Sequence, residues 1–556
     1  MTCNIARFFS QHLSQPHQIL YRHFIDERWR DVSVAEVAMQ VSRWQAAFRR
    51  EGLVPGDRIA LCARNGVPWI AIDLAALSLA LVVVPLYVDD NPENAAWCAG
   101  NAEAKLWLVE NSRIAAELRG AAAGSSLPPL CVLRPDRDEA GTRAETFLPK
   151  TGTDVEVRDV PDDTLATICY TSGTSGRPKG VMLSHGNIIA NVRQCQALHM
   201  ARADDRFLSM LPLSHMFERT GGYYLPLSIG AVVAFGRGVA SIADDLMSQR
   251  PTVVFAVPRI FDRFRVRIDH ALIEAPLKKR LFDACVDRGV RVAKKRATWT
   301  DHVMLPFLRA LVAKPILARM GGRMRFSVVG GAALDPDLSR LFIGLGLPLL
   351  QGYGMTEASP VIAVNREDDN EPETVGRPLP GVDVRLADSG ELLVRGPNVM
   401  TGYWRNEKAT RAALDGDGWL HTGDLAEMRD GKILIRGRAK DIFVLSNGEK
   451  LSPQDVETAI AHEPFFEQVM LVGDGRPYAI LLAVTKSADE SALVRQANAQ
   501  LKAFPRWARV RRVVALSDAW TIENGLLTPT LKLKRPRLVE RFKDRIEQAY
   551  REPPFD

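Results

Sequence analysis

Short apolar runs rich in β-branched residues recur along this chain, and between them apolar residues return at helical spacing. The runs are DRIALCA near residue 60, KLWLVE near 107, LATICY at 165, VVAFG at 232, VVFAVP at 253 and FSVVGG at 326. Strand-length runs alternating with helices predict an α/β architecture of parallel-rich sheets flanked by helices, because parallel neighbours need a crossover that a helix supplies. This pattern defines a large N-terminal domain, 1–437. Beyond it the elements shorten to KILIRG, DIFVLSNGEKLS with the turn pair Asn447-Gly448, and PQDVETAIAH with Ser452 and Pro453 as N-cap and first helical residue. VMLVGDG, YAILLAVT and a helical pattern over about 487–504 complete a small α+β domain, 438–556.

The chain has 556 residues, 46% hydrophobic and 25% charged, which is enough for several cores. Its net charge of +6 is small for this length and argues against nucleic acid as a partner. Seven scattered cysteines without a CxxC pair favour neither a disulfide framework nor a zinc site, and the N-terminus lacks the apolar core of a signal peptide, so a cytoplasmic setting is expected. The longest apolar run, about 69–88, is interrupted by Asp73 and reads as a buried helix entering the strand VVVPLYV. Positions 134–163 are polar and aperiodic and read as a surface excursion without chemistry.

The chemistry begins at YTSGTSGRPKGVMLSHGN, 170–187. Thr171, Ser172, Thr174 and Ser175 offer hydroxyl donors, Gly173, Gly176 and Gly180 let the backbone turn its N–H groups toward an anion, and Lys179 adds fixed charge. The preceding LATICY reads as a buried strand and Ser184 as the N-cap of a following helix, giving strand, phosphate loop and helix in succession. A nucleoside triphosphate is the expected ligand; a Gly/Ser-rich surface turn is the plainer alternative. A Walker loop fails on spacing, since Lys179 is followed by Gly180 and not by a hydroxyl residue.

The loop resembles that of the adenylate-forming superfamily, and four further segments carry the resemblance in family order: LPLSHMFER from 211, QGYGMTEASP from 351, DGWLHTGDLAEMRDGKILIRGRAKD from 417 and NGLLTPTLKLKRPRL from 524. The third is similar to its fatty-acyl-CoA synthetase version, so the chain resembles an AMP-forming long-chain fatty-acyl-CoA synthetase. The resemblance implies a small mobile lid hinged at Lys440, with ATP and coenzyme A as co-substrates and Mg²⁺ as the metal.

It also implies site roles that the chemistry of the side chains suits. Tyr353, followed by Gly354, would pack on adenine, with the small residues Gly330, Gly331 and Ala332 allowing close approach. Thr356 would bind the α-phosphate, and Glu357 would hold magnesium as a hard oxygen ligand. Asp424 would accept from both ribose hydroxyls, and the guanidinium fork of Arg438 would contact ribose or phosphate. Lys532 is in register with the family's catalytic lysine, with Lys534 as competitor, and Thr530-Leu531 departs from the Asn-Gly of many relatives. His215 would flank an acyl tunnel for which Met216, Phe217, Tyr223 and Val328 are further candidates.

The helical stretch 276–323 is similar to that of long-chain synthetases and favours a medium- to long-chain fatty acid. Its basic residues, interleaved with apolar ones, are compatible with peripheral contact to an anionic membrane or with a solvated helix face. An aryl acid, a carrier-protein acceptor in place of coenzyme A, and a non-catalytic acyl or nucleotide sensor are the alternatives. The sensor is disfavoured because Lys179, Thr356, Glu357, Asp424, Arg438 and Lys532 are all present.

Overall fold

All six apolar runs are strands, divided between two large sheets. The structure, a computed structural model, describes residues 2–122, 128–134, 142–171, 177–273, 275–439, 443–461, 463–502, 504–522, 524–528 and 532–555. In an eight-stranded sheet, Leu165–Thr171, Val82–Pro85, Arg58–Cys62, Leu106–Asn111, Leu130–Arg134 and Thr142–Arg143 run parallel side by side. In a nine-stranded sheet the parallel block is Leu349–Gly354, Phe326–Val329, Val253–Ala256, Arg206–Ser209, Val232–Phe235 and Ile19–Ile25, with antiparallel strands at both edges. Strands buried on both faces explain why these runs are continuously apolar and not alternating.

The helix Val67–Ser78 shares one core cluster with residues of both sheets, Val83 and Leu183 from one, Val233 and Val253 from the other. Held between two apolar surfaces, it has no polar face, as expected of a fully buried helix. Its one charge, Asp73, pairs with the equally buried Arg219 and accepts from Tyr224 Oη at 2.8 Å. Arg219 also donates to Thr167 Oγ1 at 2.8 Å and lies 5.3 Å from the Trp69 ring centroid. Removing one partner of such a pair strands the other charge in the core. Asp73→Ala is therefore expected to lower the unfolding free energy by about 3–5 kcal/mol; a denaturation midpoint equal to that of the native chain would refute this account.

The strand, loop and helix order expected over 165–187 needs correction. Lys179–Ser184 is a second strand, antiparallel to Leu165–Thr171, with Thr171 opposite Lys179 and Leu165 opposite Ser184. Val181 and Leu183 alternate into the core, a period-two signal too short to stand out beside Gly180. The helix His185–Gln196 begins afterwards, with Ser184 and Asn187 bonding each other's backbone N–H at 3.0 Å in a capping box. Ser172, Gly173, Thr174, Ser175 and Gly176 lie outside the described residues.

In the C-terminal part, Gln468–Val472, Ala479–Val484 and Val510–Leu516 form a three-stranded sheet with helices Pro453–Ile460, Glu490–Gln500, Arg535–Arg541 and Lys543–Arg551. Among the described residues, three hydrophobic clusters draw on positions 3–435 and two on positions 443–555. The strand Lys432–Arg438 ends between the two sets. The hinge candidate Lys440 lies outside the described residues.

Candidate active site

A single cleft of about 2700 Å³ opens where the strands of both sheets end. Thr171 and Gly354 are last residues of their strands, and Gly330, Gly331 and Ala332 follow Phe326–Val329, so all five sit at carboxyl ends, the usual ligand side of parallel α/β sheets. Gly354 cannot be replaced without moving the loop, because an added Cβ would stand 2.0 Å from the Pro360 carbonyl oxygen.

At one end, Tyr353 and Asp424 are coupled. Tyr353 Oη donates to Asp424 Oδ2 at 2.5 Å, and Arg438 Nε donates to Asp424 Oδ1 at 3.2 Å. Asp424 faces Arg438 directly across the strands Leu420–Arg429 and Lys432–Arg438, so sheet register sets this pair. Burial pushes the Asp424 carboxyl up, with Arg438 and the Tyr353 bond opposing. Burial, and then the neighbouring carboxylate, hold the Tyr353 phenol well above its ordinary value, so it remains a donor.

At the other end lies a chain of contacts. Lys179 Nζ lies 5.1 Å from the Tyr403 ring centroid, and Tyr403 Oη donates to Glu357 Oε1 at 2.8 Å. Glu357 sits in the 3₁₀ turn Thr356–Ala358 and its carbonyl accepts from Met400 N at 2.8 Å, which fixes the turn. Tyr403 was not foreseen; it lies on the two-residue strand Gly402–Tyr403, whose pairing with Val181 and Met182 leaves almost no sequence signal. Among the described residues no group of three or more His, Cys, Asp or Glu could hold a metal by itself. A single carboxylate beside Tyr403 nevertheless suits Mg²⁺, which takes one or two carboxylates and completes its shell with phosphate oxygens and water.

Lys532 reaches this cleft from the C-terminal part. Leu526 and Leu527 are buried, Thr528 N donates to Lys532 O at 2.8 Å, and Lys532 N donates to Thr528 Oγ1 at 3.0 Å, so both feet of the loop are anchored. Lys532 is solvent-exposed inside the cleft, and enclosure by the surrounding protein still lowers its ammonium pKa. Arg438 lowers it further, whereas Asp424 and Glu357 oppose. Lys534 differs: its nearby charges are Asp90 and Arg537. Both lysines line the cleft, and of the two only Lys532 has Asp424 and Glu357 among its charged neighbours.

His215 is half-buried, and burial followed by the Lys532 charge pushes its pKa down to about 4. Its imidazole is neutral at pH 7, and Nδ1 accepts from Phe217 N at 3.2 Å, which leaves the proton on Nε2 facing away from that bond.

Apolar residues of the nine-stranded sheet and of the helix His185–Gln196 line one limb of the cleft. Met216, Phe217 and Val328 are among the lining residues. Tyr223 is not; it is fully buried, with its ring centroid 6.2 Å from Trp69 and 4.5 Å from Tyr224. Phe207, Val253 and Phe255 line the cleft instead, as do Cys195, Met200 and Gly352. Phe217 meets Phe255 edge-on at 5.4 Å.

A parallel-sheet cleft with an aromatic–carboxylate pocket, closed by a lysine from a separate C-terminal part, defines an adenylate-forming architecture. The family described as AMP-binding enzyme matches residues 11–404, and the AMP-binding enzyme C-terminal domain matches 440–553. The chain is 31% identical to the long-chain-fatty-acid–CoA ligase FadD15 of Mycobacterium bovis, over 98% of this chain and 96% of that one. It is 32% identical to the peroxisomal long chain acyl-CoA synthetase 6 of Arabidopsis thaliana, over 90% and 79%. Among solved structures, ATP-bound MatB from Rhodopseudomonas palustris superposes with a TM-score of 0.75 at 24% identity, covering 98% of this chain and 99% of that one. The anthranilate CoA ligase AuaEII with anthranoyl-AMP gives 0.75 at 17% identity, covering 97% of each. The chain belongs to the AMP-binding enzyme family.

Proposed function

We propose that the acid activated here is a medium- to long-chain fatty acid, and that Lys532, Asp424, Arg438, Thr356 and Glu357 form the adenylating centre. The chain is an AMP-forming acyl-CoA synthetase, an ATP-dependent acid–thiol ligase. A carboxylate resists thiol attack because its leaving group is poor, so its oxygen first attacks the α-phosphorus of ATP and pyrophosphate departs. The thiol of coenzyme A then attacks the acyl carbonyl, loses its proton, and AMP leaves.

In the first step negative charge grows on the α-phosphate, and Lys532 and the Thr356 hydroxyl would stabilise it. Asp424 would accept the ribose hydroxyls, oriented by Tyr353 and Arg438, and Tyr353 and the Gly330–Gly331–Ala332 wall would enclose adenine. Glu357 would hold Mg²⁺, which supplies charge neutralisation on the phosphates when bound. Neutral His215 would flank the carboxylate at the mouth of the limb without adding a competing charge. The observation that carries the proposal is the convergence of Lys532, Asp424 and Glu357 on one cleft that continues into an apolar limb. Such a limb suits an alkyl chain better than a compact aryl acid.

Pyrophosphate release measured across aryl acids and saturated acids from four to eighteen carbons tests the reading. Rates that rise with chain length and end in acyl-CoA support it. A preference for aryl acids or for acyl carrier protein as acceptor would overturn the substrate assignment, and nucleotide binding without acid-dependent ATP–pyrophosphate exchange would overturn catalysis.

A further inference from the structure

The segment 258–320 carries 15 Lys and Arg against 6 Asp and Glu, a net +9 in a chain whose total is +6. Its helices Pro258–Ile273, Pro276–Ala293 and Trp299–Leu308 do not hide their large side chains. Among the described residues, the six most exposed large apolar side chains all lie here: Trp299, Ile273, Leu277, Phe307, Val266 and Leu311, between 76% and 64% exposed. Trp299, Val303, Phe307 and Leu311 recur every four residues, so they form one outward row, while Leu305 and Leu308 face the core. An amphipathic helix normally turns such a row inward.

The platform beneath is rigid. Arg291 Nε donates to Asp301 Oδ2 at 2.9 Å across the hairpin of the second and third helices, and the Thr298 and Asp301 capping box fixes the turn. Gly289 meets Gly344 of the helix Pro336–Leu345 so closely that a Cβ would stand 2.0 Å from the Gly344 carbonyl oxygen. The first helix follows the strand Val253–Ala256, whose Val253 and Phe255 line the apolar limb, and its Arg265 lines the cleft while donating to Asp335 at 3.1 Å. Exposed Lys278, Arg280, Lys294, Lys295, Arg296 and Lys314 surround the row.

We propose that this face docks on the surface of an anionic lipid bilayer, with Trp299, Val303, Phe307 and Leu311 in the headgroup–acyl boundary and the flanking cations on lipid phosphates. An apolar row ringed by cations complements an anionic interface, where each basic residue adds attraction within a Debye length and the aromatic rings prefer the boundary layer. The benefit of docking rests on the fatty-acid reading, since such acids partition into membranes; the docking itself does not depend on catalysis.

The test is co-sedimentation of the full chain, without substrates, with vesicles of phosphatidylglycerol and phosphatidylcholine or of phosphatidylcholine alone, at about 20 and about 150 mM salt. Preferential binding to anionic vesicles is expected, weakened by salt, and reduced about tenfold or more by Trp299→Ser/Phe307→Ser. Lys294→Gln/Lys295→Gln/Arg296→Gln should reduce it at low salt. Pyrophosphate release with octanoate serves as the folding control and stays at the native level in both variants. Absence of binding by the native chain, or native-level binding by the Trp299/Phe307 variant, overturns the proposal. A concentration-dependent dimer in sedimentation velocity, lost in that variant, would instead assign the face to a second copy of the chain.

Discussion

Lys532→Ala slows acyl-adenylate formation by about 10²- to 10³-fold, the range seen when one preorganised donor to a developing oxyanion is removed. Transfer of a preformed acyl-adenylate to coenzyme A falls much less, because that step breaks the acyl C–O bond and no bond to the α-phosphorus, so the five-coordinate phosphorus that Lys532 would stabilise does not form. Its exposure inside the cleft argues that the chain folds without it, and the circular dichroism spectrum and melting temperature of the variant check this. A second readout is independent of turnover. Lys532 helps hold the His215 imidazole at about 4, so its removal shifts the His215 titration upward, observable in the imidazole NMR signals. Equal losses in both half-reactions, or a fixed His215 titration, would remove Lys532 from the position assigned to it.

Gly352→Leu is expected to convert the specificity of the enzyme. A Cβ at this position would lie 3.6 Å from Val328 Cγ1, the Ala363 carbonyl oxygen and Val364 Cγ2, which are ordinary contacts, so the backbone accepts a side chain that then extends into the apolar limb. Shortening the usable limb by about four methylenes at about 0.8 kcal/mol each forfeits about 3 kcal/mol, or about 10²-fold in kcat/KM for a sixteen-carbon acid. Short acids that end before the obstruction keep their rates. A uniform loss across chain lengths would point to damage at the adenylating centre, and an unchanged profile would show that the acyl chain runs elsewhere.

The architecture was legible because its strands are buried on both faces: a run such as VVFAVP has no polar alternation to confuse it with a surface strand. The candidate site residues, from Tyr353 to Lys532, could be picked out because they sit in distinctive local strings. The hairpin at Lys179–Ser184 escaped because only Val181 and Leu183 carry its period. The limb was read poorly for a different reason. Tyr223 and Phe255 are both aromatic residues in core-like surroundings, and only sheet register and the Trp69–Tyr224 packing decide that one faces a cavity and the other does not. Tyr403 needed a contact between segments more than 200 positions apart, which no local pattern reports.

The crossing of Gly289 over Gly344 restricts how this protein can diversify. Any side chain at either site would collide with main-chain atoms, so gradual drift there is closed, while the outward row from Trp299 to Leu311 rests on a scaffold indifferent to what it displays. Descendants could exchange tryptophan for serine, or lysine for glutamate, and change where the enzyme resides without disturbing the chemistry it performs.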